Sequence, residues 1–359
     1  MIDVGLIGYG FGGRVFHAPL IALAPDLRLR AVCSRSAERQ DEAAAAYPGV
    51  ATYGEEDALL ADDQLGLVVV ATPHDTHASL AIAAMDAGKH VVTDKIMCLT
   101  SAEGEAMLAA AQRNDVRLSV YQNRRWDGDF LTIRRILDEG ALGEIYCIES
   151  SITRFGGPNS GWRAWRKHGG GHTLDWGAHL VDQALQLFGP TVQSVFADFQ
   201  YDYPPDVADV ETTAFCMLRF ENGVRFRIEL GTAWAYPKPR FHVRGSNGSL
   251  RKYGIDPQEA AMKLGTFGMP IPEDPARYEM KVRGADGGMH DVPVTPIPGS
   301  YRAFYDSVGQ ALSTGGEMPV DPRECLAGVR VFEAIFRSAA ERRVVALTVR
   351  QGEAGRSNG

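Results

Sequence analysis

Residues 2–14 read IDVGLIGYGFGGR, an apolar run that ends on three glycines, Gly8, Gly10 and Gly13, in the spacing G-x-G-x-x-G. In a strand–turn–helix context each glycine has its own task. The first allows the tight turn, the second lets backbone approach a pyrophosphate, and the third lets helix and strand pack closely. The helix that starts there turns its N-terminal N–H groups toward the bound negative charge. Gly8, Gly10, Phe11, Gly12 and Gly13 are therefore the first cofactor-binding candidates.

Working outward, apolar β-type runs alternate with Ala-rich helical stretches, the pattern left by βαβ crossovers around a parallel sheet. The strands are VGLIGYG, LRLRAVCSR, LGLVVVATP, KHVVTDK and VRLSVYQN; the helices are SAERQDEAAAAY, THASLAIAAMDAG and TSAEGEAMLAAAQRN. Thr100 with Glu103 forms a capping box. After Asn123 the text becomes β-rich, and ENG (221–223) and SNG (246–248) mark hairpins. The expected fold class is α/β: a Rossmann doubly wound parallel sheet over residues 1–123, then an α+β domain over 124–349 with a large open, mostly antiparallel sheet. Helices are expected at 129–143 and 173–189, with a long closing helix near 322–342; residues 350–359 read as a flexible tail.

Bulk properties narrow the function classes. A chain of 359 residues is long enough for two domains sharing a cleft. A formal charge of -8 speaks against nucleic-acid and anionic-membrane partners, which need clustered cations. The start MIDVGLIGYG lacks the charged leader and apolar core of a signal peptide, so a cytoplasmic location is expected. Five widely spaced cysteines without a CxxC pair argue against disulfides and a thiolate zinc site.

An NAD-selective site carries Asp or Glu at the end of the second strand for the ribose 2′-OH. Here Cys33-Ser34-Arg35 occupies that place. Ser34 can hydrogen-bond a 2′-phosphate and Arg35 can pair with it, so NADP is favoured over NAD. The opposing reading, Arg35 as a solvated loop cation, stands beside it. Thr72, Pro73, His74 and His77 end a later parallel strand next to the pyrophosphate site, and Asn123 ends the last one.

Four segments, GYGFGGRVFHAPLI, ATPHDTH, the DK of VVTDK and GGGHTLDWGAHLVD, occur in the order and context of the Gfo/Idh/MocA oxidoreductase family, which the chain resembles from about residue 2 to 345. VFHAPLI, NRRWDGDFLT, LVDQALQLFG and KYGIDPQEA look most like its NADP-dependent scyllo-inositol dehydrogenase branch. The resemblance implies hydride transfer between nicotinamide and a hydroxyl of a cyclitol, sugar or glycoside, and a homodimer or homotetramer through the C-terminal sheet. It places the family's lysine on Lys95, next to Asp94, and the D-x-x-x-H motif on Asp175 and His179. The family's E-K-P context reads D-K-I here. With Ile96 in place of proline, either the preceding peptide bond is trans and Lys95 is re-aimed, or the bond is cis and held by its surroundings.

Oxidising a secondary alcohol needs a base within reach of the hydroxyl as the hydride leaves. His179 has a suitable intrinsic pKa. Asp175, four residues earlier on one helix face, can orient substrate or imidazole, and Lys95 can stabilise a developing alkoxide or relay the proton. A lone histidine on an apolar helix is more often structural, and the GGG entry with the family match is what favours catalysis. Read as metal ligands, His172, Asp175 and His179 fit no common zinc spacing, so no metal is expected. Arg124, Trp126, Trp162, Arg163 and Asp182 complete the substrate-binding candidates, with domain-junction salt bridges the competing role for Arg124. Two other functions stay open: an enzyme cleaving glycosides through transient oxidation with retained NAD, and a non-catalytic NADP-binding regulator.

Overall fold

The computed structural model describes residues 1–347. The expected tail at 350–359, and the last two residues of the second domain, lie outside them. The chain builds two sheets. The first comprises β1 (Ile2–Ile7), β2 (Leu27–Cys33), β3 (Ala51–Tyr53), β4 (Leu67–Val70), β5 (His90–Asp94) and β6 (Leu118–Tyr121), ordered β3-β2-β1-β4-β5-β6 and parallel throughout. The Leu-Val-Val-Val of β4 is wholly buried, as expected of a strand covered on both faces. Helices Ala37–Ala46, His77–Asp86 and Ser101–Arg113 supply crossovers, and the last begins with the Thr100–Glu103 capping box. Strand order reverses between β1 and β4, the place where open α/β sheets bind ligands beyond their strand C-termini.

The second sheet comprises β7 (Ile145–Thr153), β8 (Val192–Gln200), β9 (Thr213–Phe220), β10 (Arg225–Gly231), β11 (Phe241–Gly245), β12 (Gly248–Lys252), β13 (Tyr278–Arg283), β14 (Met289–Asp291) and β15 (Val345–Ala346), ordered β14-β13-β12-β11-β7-β10-β9-β8-β15. Its pairs are antiparallel apart from β7 with β10. The ENG and SNG segments connect β9 to β10 and β11 to β12. One sheet face is apolar, with Ile148, Phe226, Ile228, Leu218 and Val243 buried. Helices Gly177–Phe188 and Pro322–Glu341 pack on it. The opposite face carries Glu149, Arg219, Arg225, Arg227 and His242 together with Phe196, Phe215 and Met217, following the period-two alternation of a half-buried sheet.

The long helix Pro322–Glu341 also ties the two sheets. Leu326 lies so near Gly104 that a Cβ there would come within 2.7 Å of its Cδ1. At its other end Ser338 accepts the Ala197 N–H of β8. Helix Arg302–Thr314, not anticipated from the sequence, brings buried Phe304 and Tyr305 against Tyr121 of the first sheet.

Candidate active site

The glycine loop has the geometry its spacing demands. Gly8 sits at φ +100°, and a Cβ on Gly13 would lie 2.0 Å from the Gly8 carbonyl oxygen, so a side chain is excluded there. Nothing lies within 4 Å of a Cβ on Gly10, which leaves its backbone open to a ligand. Helical backbone follows directly, with a π-bulge over Gly13–His17 before Ala18–Leu23. These features fit a dinucleotide pyrophosphate. At the end of β2, the Ser34 oxygen accepts the Ser36 N–H, while Arg35 reaches Glu56 at 3.2 Å and remains exposed.

Strand β5 delivers Asp94 and Lys95 to the same edge. The Lys95 N–H donates to Asp94 Oδ1 at 2.8 Å, and the Lys95–Ile96 peptide bond is cis, which answers the alternative left open by the Ile96 substitution. Asp94 Oδ2 faces His17 Nε2 at 3.6 Å, and His17 Nδ1 lies 2.6 Å from the Tyr305 hydroxyl. Burial favours the neutral acid, yet His17 and Lys95 hold the Asp94 carboxyl below the usual carboxylate range. His17 and Tyr305 were not anticipated. His17 lies in VFHAPLI, two turns into the glycine-loop helix, and that place is the signal the sequence offers for it.

The Lys95 ammonium crosses to the second domain, donating to Asp175 Oδ1 at 2.6 Å and to the Asp175 carbonyl at 2.7 Å. Arg163 approaches the other carboxylate oxygen at 3.4 Å. Burial again opposes ionisation, but Lys95 and Arg163 keep Asp175 well below its ordinary pKa. His179 lies on the same helical stretch, which is interrupted at Trp176 between His172–Asp175 and Gly177–Phe188. Burial, with the positive fields of Lys95 and Arg124, lowers its pKa well below 6.5. It is a neutral imidazole at neutral pH. Its Nδ1 is buried with no hydrogen-bond partner.

The GGG entry holds this helix in place. Gly171 sits at φ +98°, and a Cβ there would strike the Glu211 carboxylate at 2.6 Å. That carboxylate accepts the Thr173 N–H at 2.7 Å, satisfying one of the orphan donors of the helix start. Glu211 was another unanticipated participant. His74, expected at the cofactor, is buried with Nδ1 donating to the Gly169 carbonyl at 2.8 Å and its ring edge-on to Trp162 at 4.5 Å. Burial pushes its pKa down to about 3. It links the first domain to the loop carrying Trp162, over which Arg163 stacks at 4.3 Å. His77 is buried between two carbonyls, Ile96 at 2.7 Å and Thr72 at 3.0 Å, and thereby fastens the Lys95 loop to the end of β4. Thr72 Oγ1 pairs with Thr76 Oγ1 at 2.6 Å, Pro73 precedes the turn His74–Thr76, and Asn123 is buried at the end of β6.

Three substrate-binding candidates point elsewhere. The Arg124 guanidinium is buried and engaged by Asp127 at 3.1 Å, the Tyr301 hydroxyl at 3.2 Å and Glu259, with the Trp176 ring 4.5 Å away. It serves the domain junction. Asp182 is taken by Arg125, which donates to both carboxylate oxygens at 2.8 and 2.7 Å. Trp126 packs edge-on against Phe304 at 5.7 Å. Arg124 and Asp182 are engaged in this way because charges buried at a domain seam require partners of opposite sign.

A parallel sheet with a glycine loop at its switch point, whose β5 end supplies a lysine paired with a carboxylate of a second sheet domain, defines a two-domain nucleotide-dependent oxidoreductase. The chain belongs to the Gfo/Idh/MocA family: residues 2–122 match its oxidoreductase, NAD-binding Rossmann-fold profile and residues 130–251 its C-terminal domain. It is 38% identical to the uncharacterized oxidoreductase YdgJ of Escherichia coli, over 96% of this chain and 99% of that one. It is 32% identical to the scyllo-inositol 2-dehydrogenase (NADP(+)) IolW of Bacillus subtilis, over 96% of both chains. The solved structure of the oxidoreductase yvaA from Bacillus subtilis superposes with a TM-score of 0.88 at 30% identity, covering 97% of this chain and 99% of that one. The protein is thus an NAD(P)-binding oxidoreductase. Among the described residues no helix is long and apolar enough to cross a membrane.

Proposed function

We propose that the protein is an NADP-dependent dehydrogenase or ketoreductase acting on a secondary hydroxyl or ketone of a cyclitol, sugar or glycoside. The observation that carries this reading is the meeting of Lys95 with Asp175 beside an unpartnered, neutral His179 at the C-terminal edge of β5. His179 accepts the hydroxyl proton, because its neutral form is the one present at working pH. Lys95 donates a hydrogen bond to the developing alkoxide. Asp175 holds the ammonium in place and accepts a neighbouring substrate hydroxyl. Trp162 and Arg163 cover the open side, where an aromatic face suits a sugar ring.

Gly8, Gly10, Gly12 and Gly13 would hold the pyrophosphate, and Ser34 with Arg35 the 2′-phosphate. The bound nicotinamide supplies the hydride acceptor or donor. The NADP preference is supported by the absence of an acid at the end of β2 and by the cofactor named for IolW. The face of the second sheet that carries Glu149 and Arg227 is the surface through which copies associate as a dimer or tetramer.

The test is a panel of cyclitols, sugars and glycosides assayed with NADP and NAD separately by absorbance of the reduced cofactor. Net cofactor reduction with a polyol is the expected result. Glycoside cleavage without net turnover would instead identify the transient-oxidation chemistry. Cofactor binding with no activity on any polyol would leave a regulatory protein.

A further inference from the structure

The segment KYGIDPQEA (252–260) belongs to the second domain, yet the short helix it leads into, Gln258–Lys263, lies against the glycine-loop helix Gly13–His17 of the first. Most of its polar groups are engaged inside. Asp256 accepts the Gly128 N–H at 2.7 Å and the Gln258 N–H at 2.8 Å. The Gln258 side chain donates to the Trp126 carbonyl at 3.0 Å and accepts the Tyr301 N–H at 2.7 Å. Glu259 is held by the buried Arg124. These bonds anchor the segment at the domain junction. Beyond the helix the chain continues over the first domain, where a Cβ on Gly268 would come within 2.7 Å of Leu23 Cδ1.

Lys263, the last residue of the helix, faces the glycine loop. Its ammonium lies 5.5 Å from the centre of the Phe11 ring, within cation–π range, and Phe11 stands between Gly10 and Gly12 in the loop itself. The Phe11 ring is exposed and is steadied edge-on by Phe16 at 5.6 Å. Lys263 donates to Glu259 Oε1 at 2.6 Å, and its side chain is about half exposed, so two of its three donors remain for another acceptor. Burial opposes ionisation of Glu259, yet Arg124 and Lys263 keep its carboxyl below the usual range, so it stays a carboxylate that anchors the ammonium.

We infer that Lys263 is a cofactor-binding residue, through which the second domain places a cation on the pyrophosphate held by the glycine loop. A pyrophosphate brings two negative charges to a loop that offers it backbone N–H groups. Arg14, the cation nearest in sequence, is turned to Glu42 at 3.4 Å. A lysine is suited to the task because its compact ammonium can serve a fixed carboxylate and a phosphate oxygen together. An exposed i,i+4 pair with Glu259 would by itself contribute little. The pyrophosphate is common to NAD and NADP, so this contact strengthens both alike, unlike one made to the 2′-phosphate.

The test is calorimetric titration of NADP and of NAD into wild type, K263Q and K263R at two salt concentrations. K263Q should weaken both cofactors about tenfold with their ratio unchanged, and K263R should restore most of the loss. Salt should weaken cofactor binding more steeply in wild type than in K263Q, because one charge contact has gone. Equal affinity in K263Q and wild type would overturn the proposal and leave Lys263 as a surface partner of Glu259. A loss confined to NADP would overturn it too, by moving the contact to the 2′-phosphate. Thermal melts without cofactor check the fold. Should K263Q melt lower, the salt dependence decides: a lost phosphate contact flattens it, and an unchanged dependence rejects the assignment.

Discussion

Lys95 Nζ lies 2.6 Å from Asp175 Oδ1 and 2.7 Å from the same residue's carbonyl oxygen, joining positions 80 apart in the chain and from different domains. The bidentate grip fixes the ammonium at the end of β5. Removing Asp175 leaves the buried Lys95 ammonium without a counter-charge, which is costly, whereas removing Lys95 leaves the carboxylate with Arg163 at 3.4 Å.

Replacing Lys95 with Met should lower kcat by about 100-fold or more, the scale expected for loss of a positioned polar group acting on the transition state. Cofactor affinity should stay within a few-fold, because the proposed role of Lys95 is at the substrate hydroxyl rather than at the pyrophosphate. Steady-state kinetics on a reactive polyol together with fluorescence titration of reduced cofactor separates the two effects. A parallel fall in cofactor binding would assign Lys95 a role in cofactor placement instead.

His179 has its pKa lowered by burial and by Lys95 and Arg124, so its basic form persists below pH 6.5. The acid limb of kcat/KM for alcohol oxidation should therefore fall at lower pH than an ordinary histidine would give. In H179N that limb should vanish along with most of the rate. A limb unchanged in the variant, where residual activity allows measurement, would exclude His179 as its source.

The buried His74 couples stability to pH. Its pKa is about 3 in the folded chain against 6.5 as the ordinary value, so the unfolded chain binds the extra proton first. Stability from this group is present above pH 6.5 and is lost as pH falls toward 3, with a slope of up to about 1.4 kcal/mol per pH unit. H74Q, which keeps a donor for the Gly169 carbonyl, should flatten that slope. Denaturant melts at stepped pH values read it, and an unaltered slope would count against His74.

Arg35 spends its guanidinium on Glu56 at 3.2 Å, although the side chain is largely exposed. E56Q should free it and tighten NADP relative to NAD, while R35A should shift the ratio the other way by about tenfold, the scale of a lost phosphate contact. Binding constants for both cofactors with the three proteins test this. An unchanged ratio in R35A would make Arg35 a surface cation.

Much of the fold was legible because its signals are local. Gly8 and Gly13 must be glycine for reasons visible in strand–turn–helix spacing, and the parallel strands were visible as β-branched runs. The short strands β3 and β14 were not, being brief, and helix Arg302–Thr314 was not, although its buried Phe304, Tyr305, Val308 and Ala311 recur at helical spacing. The site divides similarly. Lys95, Asp175 and His179 were picked out by motif, whereas Tyr305 and Glu211 lacked any local feature, and the place of His17 in the glycine-loop helix did not reveal its partners Asp94 and Tyr305.

The sequence by itself determined the glycine turn, the alternation of strands and helices, and the residue types available for proton transfer, since each depends on backbone sterics or short-range period. Tertiary structure alone decided how the charges were distributed. It gave Lys95 to Asp175, buried Arg124 among Asp127, Tyr301 and Glu259, and assigned Asp182 to Arg125. A charged side chain takes the partner that desolvation leaves within reach, and that partner is set by how two domains close on each other rather than by any spacing along the chain.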